Sequence, residues 1–197
     1  MRKGRPNDPQ RRSRILHATL DVIRSQGVHA ASYRRIAAQA GVPLGSMTYY
    51  FPDLDGLVVA AFETLRGELE PRFAAPLRNA STTDAVVEAL VSATVGATSP
   101  SAADVRLYTE LYHYAARSTR AADLIRTFQE ESLTLLRGRL SDAEARAVDA
   151  LMWGWWSYRL FHQAVPLDED MVRRAYRALL AAPTNPAVPR AQEAHHA

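Results

Sequence analysis

The chain has 197 residues, 47% of them hydrophobic and 23% charged, enough for one substantial core or for a small domain beside a larger one. It contains no cysteine, which excludes disulfides, thiolate metal sites and a cysteine nucleophile, and no apolar run reaches the roughly 18 residues that a membrane helix needs. The net charge of +3 is unevenly spread: residues 1–50 carry nine basic side chains against two acids and the remainder fifteen against nineteen, a basic head on a mildly acidic body, which is the footprint of nucleic-acid contact at one end.

Glycine is sparse, alternating Val/Ile/Thr runs are absent, and Ala, Leu and Arg dominate, so an all-α fold of about nine helices is expected. Residues 1–10 are polar with two prolines and read as a basic disordered arm. No apolar signal core follows them, which points to a cytoplasmic location. An amphipathic helix begins at Arg11 and stops at Gly27. Ser32 is an N-cap for a short second helix ending near Ala40, Gly41 provides the exit, and Pro43 opens a third short helix from Leu44 to Tyr50. A fourth starts at Asp53 or Asp55 and runs toward Phe73, with a kink or break expected at Pro71. The fifth, sixth and seventh are expected over 83–97, 100–117 and 120–140. Ser141 and Glu144 form a capping box that starts an eighth, to about Ala164. The ninth covers 168–182 and ends before a Pro/Ala-rich tail over 183–197, which also reads as disordered.

Two short helices joined by a glycine-containing turn and backed by a longer first helix form a helix-turn-helix unit. Ala37 and Ala38 allow close helix approach, and Val42 and Met47 are placed between the helices. That leaves Leu44, Gly45, Ser46, Thr48, Tyr49 and Tyr50 toward a groove or its phosphates. The third helix has no charge. Its reading power would come from hydroxyls, N-terminal backbone N–H groups and apolar contact with thymine methyls. Arginines 11, 12, 14, 34 and 35 are candidates for phosphate contacts.

The run Gly27…Ser32…Ile36-Ala37…Ala40-Gly41-Val42-Pro43-Leu44-Gly45-Ser46-Met47-Thr48-Tyr49-Tyr50-Phe51 resembles the tetracycline-repressor (TetR) family of regulators. The family pattern is Gly, four residues, Thr, three residues, Ile-Ala, then Ala-Gly-Val-Ser, Gly, Leu-Tyr-x-His-Phe and a following Lys. The resemblance covers about residues 11–71. It implies a DNA-binding domain over 11–55 and a ligand-binding and dimerising domain over 56–182. The implied function is a ligand-responsive repressor that holds a palindromic operator as a homodimer and is released by a small-molecule effector, apolar or aromatic. Its implied DNA contacts are Ser32, Tyr33, Arg34, Pro43, Leu44, Gly45, Ser46, Thr48, Tyr49 and Tyr50. Four positions depart from the pattern: Pro43 replaces a serine, Thr48 and Tyr50 replace tyrosine and histidine, and Leu54 stands where a phosphate-binding lysine is usual. Lys3-Gly4-Arg5-Pro6 resembles the core of an AT-hook, so Arg5 either reads a narrow minor groove or binds phosphates without reading.

In the body, Phe62, Tyr108, Glu110, Tyr112, His113, Phe128 and Trp153 are candidates for lining an effector pocket, with ordinary core packing as the alternative for each. Arg106 and Glu110 stand at i,i+4 and can pair. Three tryptophans within four positions cannot share one side of the eighth helix, so it should be apolar on two faces, and Gly154 among them suggests a close backbone approach. Met152, Trp155 and Trp156 there, with Met171, Ala175 and Leu179 on the ninth, are the expected dimer face. An enzyme is not expected: there is no HExxH, no Gly-rich phosphate loop and no GxSxG, and no cofactor is implied. Glu110 and His113 alone are too few to hold a metal. A helical adaptor binding protein instead of DNA would need a neutral or acidic head, against the basic one present.

Overall fold

In a computed structural model of the chain, residues 10–162 and 167–181 are described. The described residues form nine α-helices and no strand: α1 (Arg11–Gln26), α2 (Tyr33–Ala40), α3 (Leu44–Tyr50), α4 (Leu54–Asn79), α5 (Thr83–Thr94), α6 (Ala102–Ala115), α7 (Thr119–Arg137), α8 (Asp142–Phe161) and α9 (Glu169–Ala181), with a 3-10 turn (Val28–Ala30) after α1. The arm with Arg5, the expected end of the eighth helix at Ala164 and the C-terminal tail lie outside the described residues.

Helix starts follow the side-chain chemistry. Ser32, Asp53, Thr82 and Ser118 each accept a hydrogen bond from a first-turn backbone N–H, at α2, α4, α5 and α7. Ser141 and Glu144 form the expected capping box on α8, and Ser101 with Asp104 forms another on α6. Several boundaries differ from expectation, and two of them have a clear physical reason. α4 runs unbroken through Pro71 and Pro76 to Asn79. The carbonyls these prolines leave without an N–H partner belong to Gly67 and Arg72, both on the exposed side, where water can satisfy them. α5 stops at Thr94 rather than Ala97, because the Thr94 carbonyl accepts from Ser99 Oγ (2.9 Å) and Arg159 Nη1 (3.0 Å), which takes it out of the helical ladder.

Two cores form. The first gathers Ile15, Leu20 and Ile23 of α1, Ile36, Met47 and Phe51 of the helix-turn-helix, Leu57 and Phe62 of α4, and Leu107, Leu111 and Leu124 of α6 and α7. The second holds Leu77, Val87, Leu90, Leu136, Val148, Val172 and Tyr176. The packing therefore runs across the expected cut at residue 55, and the first two-thirds of α4 closes the head's own core. Tyr176 is fully buried with its hydroxyl 2.7 Å from Thr94 Oγ1, and burial pushes it up to about 12. Arg173 and Arg177 reach from α9 to Glu88 and Asp84 of α5, fastening the last helix.

Candidate nucleic-acid interface and ligand cavity

α3 is mounted on the head by Met47, which is fully buried, while Leu44 and Tyr49 stand 55% and 74% exposed. Two large apolar side chains left in water on one short helix mark a contact surface. Thr48, Gly45 and Pro43 are exposed beside them, Ser46 and Tyr50 half-buried, and the Tyr49 and Tyr50 rings meet edge to face at 4.9 Å. Gly41 at φ 64 supplies the left-handed exit from α2. Ala37 is buried between the helices as expected, but Ala38 faces solvent and Val42 is half-buried.

The hydroxyls of Tyr33 and Ser32 are engaged within the head. The Tyr33 hydroxyl donates to the Phe51 carbonyl at 2.7 Å, tying α2 to the end of α3, and Ser32 Oγ is the α2 cap. Arg35 is partly spent within the head, its Nη1 donating to the Ala30 carbonyl at 2.9 Å. Arg12 lies 5.3 Å over the Phe51 ring with its guanidinium exposed, and Arg11 is half-buried. Arg34 is exposed and makes no ion pair among the described residues.

Two contacts that sequence reasoning missed join the head to the body. Glu110 of α6 accepts from the Val28 backbone N–H at 2.7 Å, capping the turn that leads into α2. It is not paired with Arg106. At the other, Ser118 Oγ donates to Asp55 Oδ1 (2.6 Å) and Arg120 Nη1 to Asp53 Oδ1 (2.7 Å), so the start of α7 grips the start of α4. The Gly56 N–H and the Arg120 guanidinium hold Asp53 below the usual carboxylate range. Burial first and the Asp55 hydrogen bond second push the neighbouring Tyr114 up to about 12. Asp53 was legible as a cap; its partner is 67 positions away, beyond any local signal.

A cavity of about 1410 Å³ opens between α4, α6, α7 and α8. It brings together Tyr108, Tyr112, Phe128 and Trp153 of the expected pocket residues, with Phe73, Leu69 and Trp156 added. Trp153 is the hub, 5.0 Å from the Tyr112 ring and 6.4 Å from that of Tyr108. Burial pushes the Tyr108 hydroxyl up to about 12, so it stays a neutral donor. Three expected lining residues lie elsewhere. Phe62 is fully buried in the first core, and Glu110 and His113 occupy the opposite face of α6, beside a separate cleft of about 470 Å³. Glu110 lies two residues from both Tyr108 and Tyr112, and His113 one residue past Tyr112, offsets that rotate them away on a helix of 3.6 residues per turn.

Of the expected dimer face, Met152 and Trp156 point inward. Met152 is buried against the second core, and the Trp156 indole donates to the Ala93 carbonyl at 3.1 Å. Trp155, Ala175 and Leu179 are half-buried and Met171 is exposed. Gly154 is exposed, and among the described residues nothing lies within 4 Å of where a Cβ would sit, so none of them makes the close approach inferred for it. Among the described residues no group of three or more His, Asp or Glu could hold a metal, and no helix is long and apolar enough to cross a membrane.

An N-terminal helix-turn-helix on a helical body with its own cavity defines a class of bacterial regulators. Residues 15–61 match the family described as bacterial regulatory proteins, tetR family. The HTH-type transcriptional regulator BetI of Klebsiella pneumoniae (strain 342) is 39% identical over 61 residues, which are 31% of this chain and 31% of that protein. The chain thus matches about a third of the length of the curated relatives. Structural likeness extends further. SCO7518 of Streptomyces coelicolor A3(2), described as a transcriptional regulator, shares 33% identity over 88% of this chain and all of its own, with a TM-score of 0.79. The multidrug binding protein EbrR, complexed with imidazole, shares 30% over 90% of this chain and 99% of its own, TM-score 0.71. EbrR has also been solved with ethidium, proflavin and malachite green. The chain belongs to the TetR family of transcriptional regulators, which are not enzymes.

Proposed function

We propose that the protein is a ligand-responsive repressor that holds a palindromic operator as a homodimer and is released when a small aromatic molecule fills the cavity. In this reading residues 11–55 are the DNA-binding domain, α3 reads base edges through Thr48, Tyr49 and Leu44, and Arg12, Arg14 and Arg34 hold phosphates. The observation that carries it is the placement of α6. One face puts Tyr108 and Tyr112 in the cavity, and the other bonds Glu110 to the head at Val28. A ligand that shifts α6 therefore moves the turn feeding the helix-turn-helix. The Ser118–Asp55 and Arg120–Asp53 bonds give a second route, through α4. EbrR's complexes with aromatic dyes support a ligand of this kind for a cavity lined by Tyr, Phe and Trp.

Dimerisation is assigned to the outer faces of α8 and α9, around the exposed Gly154, Met171 and Phe161. A two-fold partner there would bring the close backbone approach that Gly154 permits. The test is selection of operator duplexes from a random pool, followed by titration with ethidium. The reading expects affinity that falls with salt, two half-sites related by a dyad, and loss of the complex on adding ethidium. Salt-insensitive binding without a sequence preference would overturn it.

A further inference from the structure

Five carboxylates line the cavity, and four lie within ion-pair distance of an arginine. Glu70 pairs with Arg78 at 2.6 Å, Glu131 with Arg66, Asp123 with Arg126, and Glu130 with Arg137 at 3.6 Å. The fifth, Asp149, is half-buried and has no Arg or His within ion-pair distance among the described residues. Its one hydrogen bond is from Ser132 Oγ, at 2.7 Å from α7. The remaining cation on the lining, Arg139, is exposed at the rim with its guanidinium donating to the Gly138 and Arg78 carbonyls.

Asp149 precedes Trp153 by four residues on α8, so the two stand one above the other on one helix face. The Trp153 ring is tilted against Tyr112 of α6, centroids 5.0 Å apart. Burial pushes the Tyr112 hydroxyl up and the Asp149 charge adds to that push, which brings the carboxylate and the ring pair into one electrostatic neighbourhood. A half-buried carboxylate with no counter-ion beside aromatic walls leaves its charge for the occupant to balance. Aromatic faces attract a cation through their quadrupole.

From this we infer that the effector is a hydrophobic organic monocation, with Asp149 as its counter-ion and Trp153 and Tyr112 as the walls that face its charge. The inference rests on the cavity being the effector site and deepens that reading from shape to charge. A single carboxylate selects a monovalent ligand. One hydroxyl donor already on Asp149, and no unpaired cation beside it, disfavours anions. The charge is best delocalised or quaternary, because a strongly hydrated ammonium loses more on leaving water than an aromatic cage returns.

The test uses two ligands of nearly one shape, 10-methylacridinium, a fixed cation, and acridine at pH 8, where it is neutral, read by quenching of tryptophan fluorescence in the full chain. The wild type is expected to bind the cation about tenfold more tightly than acridine. Asp149→Asn keeps the Ser132 contact and the volume, and should cut cation affinity about tenfold while leaving acridine unchanged. Asp84→Asn, which removes a largely exposed carboxylate of α5 that is not on the cavity lining, should leave both ligands as they were. Equal affinity for the two ligands in the wild type, or an equal loss of both in Asp149→Asn, overturns the charge assignment and leaves the cavity as an effector site. Failure of both ligands to bind the wild type overturns the effector-site reading, and the charge assignment falls with it.

Discussion

Replacing Glu110 with alanine severs the shorter of the two connections between cavity and head. The carboxylate lies 2.7 Å from the Val28 N–H, and Val28 is buried, so the truncated protein leaves a backbone donor with no acceptor. A hydrogen bond to a charged group contributes about 1.5–3 kcal/mol, and an abandoned buried donor costs a comparable amount. If that bond differs between the DNA-holding and released states, its removal shrinks the coupling by up to the same energy. Coupling between allosteric sites is typically about 1–3 kcal/mol, a factor of roughly 5–150, so Glu110→Ala should erase most of it. The measurement is operator affinity by fluorescence anisotropy with and without saturating ethidium. Wild type should show a large ratio between the two conditions, and Glu110→Ala a ratio close to one with ethidium affinity itself little changed. Glu110→Gln keeps a neutral acceptor and should fall between, which separates coupling from loss of folding; thermal melts of both variants give the second check. A Glu110→Ala protein that is folded, binds ethidium and releases DNA as fully as wild type would refute the reasoning.

Three further outcomes are expected. Thr48→Ala with Tyr49→Ala should lower operator affinity by about 1–3 kcal/mol per lost base contact while sedimentation still shows the wild-type assembly; retained operator preference would remove α3 from the reading role. Tyr33→Phe deletes only the hydroxyl bonded to the Phe51 carbonyl and should lower unfolding free energy by about 0.5–1.5 kcal/mol in urea titrations, with weaker operator binding as the angle between α2 and α3 loosens. His17 donates from Nε2 to Glu68 and from Nδ1 to the Ser13 carbonyl, at 2.7 and 2.8 Å, and the Glu68 bond leads in raising it above 6.5. A raised folded value means that the α1–α4 contact is fully favourable below the unfolded value near 6.5 and is lost as pH climbs through the folded one. NMR titration should place the His17 midpoint above 6.5 in wild type and lower it in Glu68→Gln; an unmoved midpoint would exclude the pair as its cause.

The helix-turn-helix was legible because its information is local. Gly41 sits one residue past α2, Ser32 one residue before it, and the apolar positions at 36, 37 and 47 follow the helical period. The body was legible as helices and only partly as a site. Tyr108, Tyr112, Phe128 and Trp153 meet because α6, α7 and α8 pack with those faces together, a tertiary fact that spacing alone does not carry. Glu110 and His113 looked equally suitable by residue type, and the helical phase turned them to the head side. Met152 and Trp156 turn inward for a related reason: the tryptophan-rich stretch of α8 is apolar on more than one face, so hydrophobicity gave no indication of which stripe faces inward. α4 outlasted two prolines because their cost falls on solvent-exposed carbonyls, which composition cannot reveal.

The absence of charge on α3 separates two quantities that most basic reading helices mix. Sensitivity to ionic strength comes from cations released off phosphates, and in the proposed reading those sites are arginines on α1 and α2. In the same reading, discrimination among base pairs falls to hydroxyls, a leucine and ring edges, whose contributions are nearly independent of salt. The ratio of cognate to random-sequence affinity should then stay nearly constant while both fall together as ionic strength rises. Over evolutionary time substitutions on α3 can redirect the protein to a new operator without resetting how tightly it holds DNA in general, and changes among the arginines can retune occupancy without altering which genes are addressed.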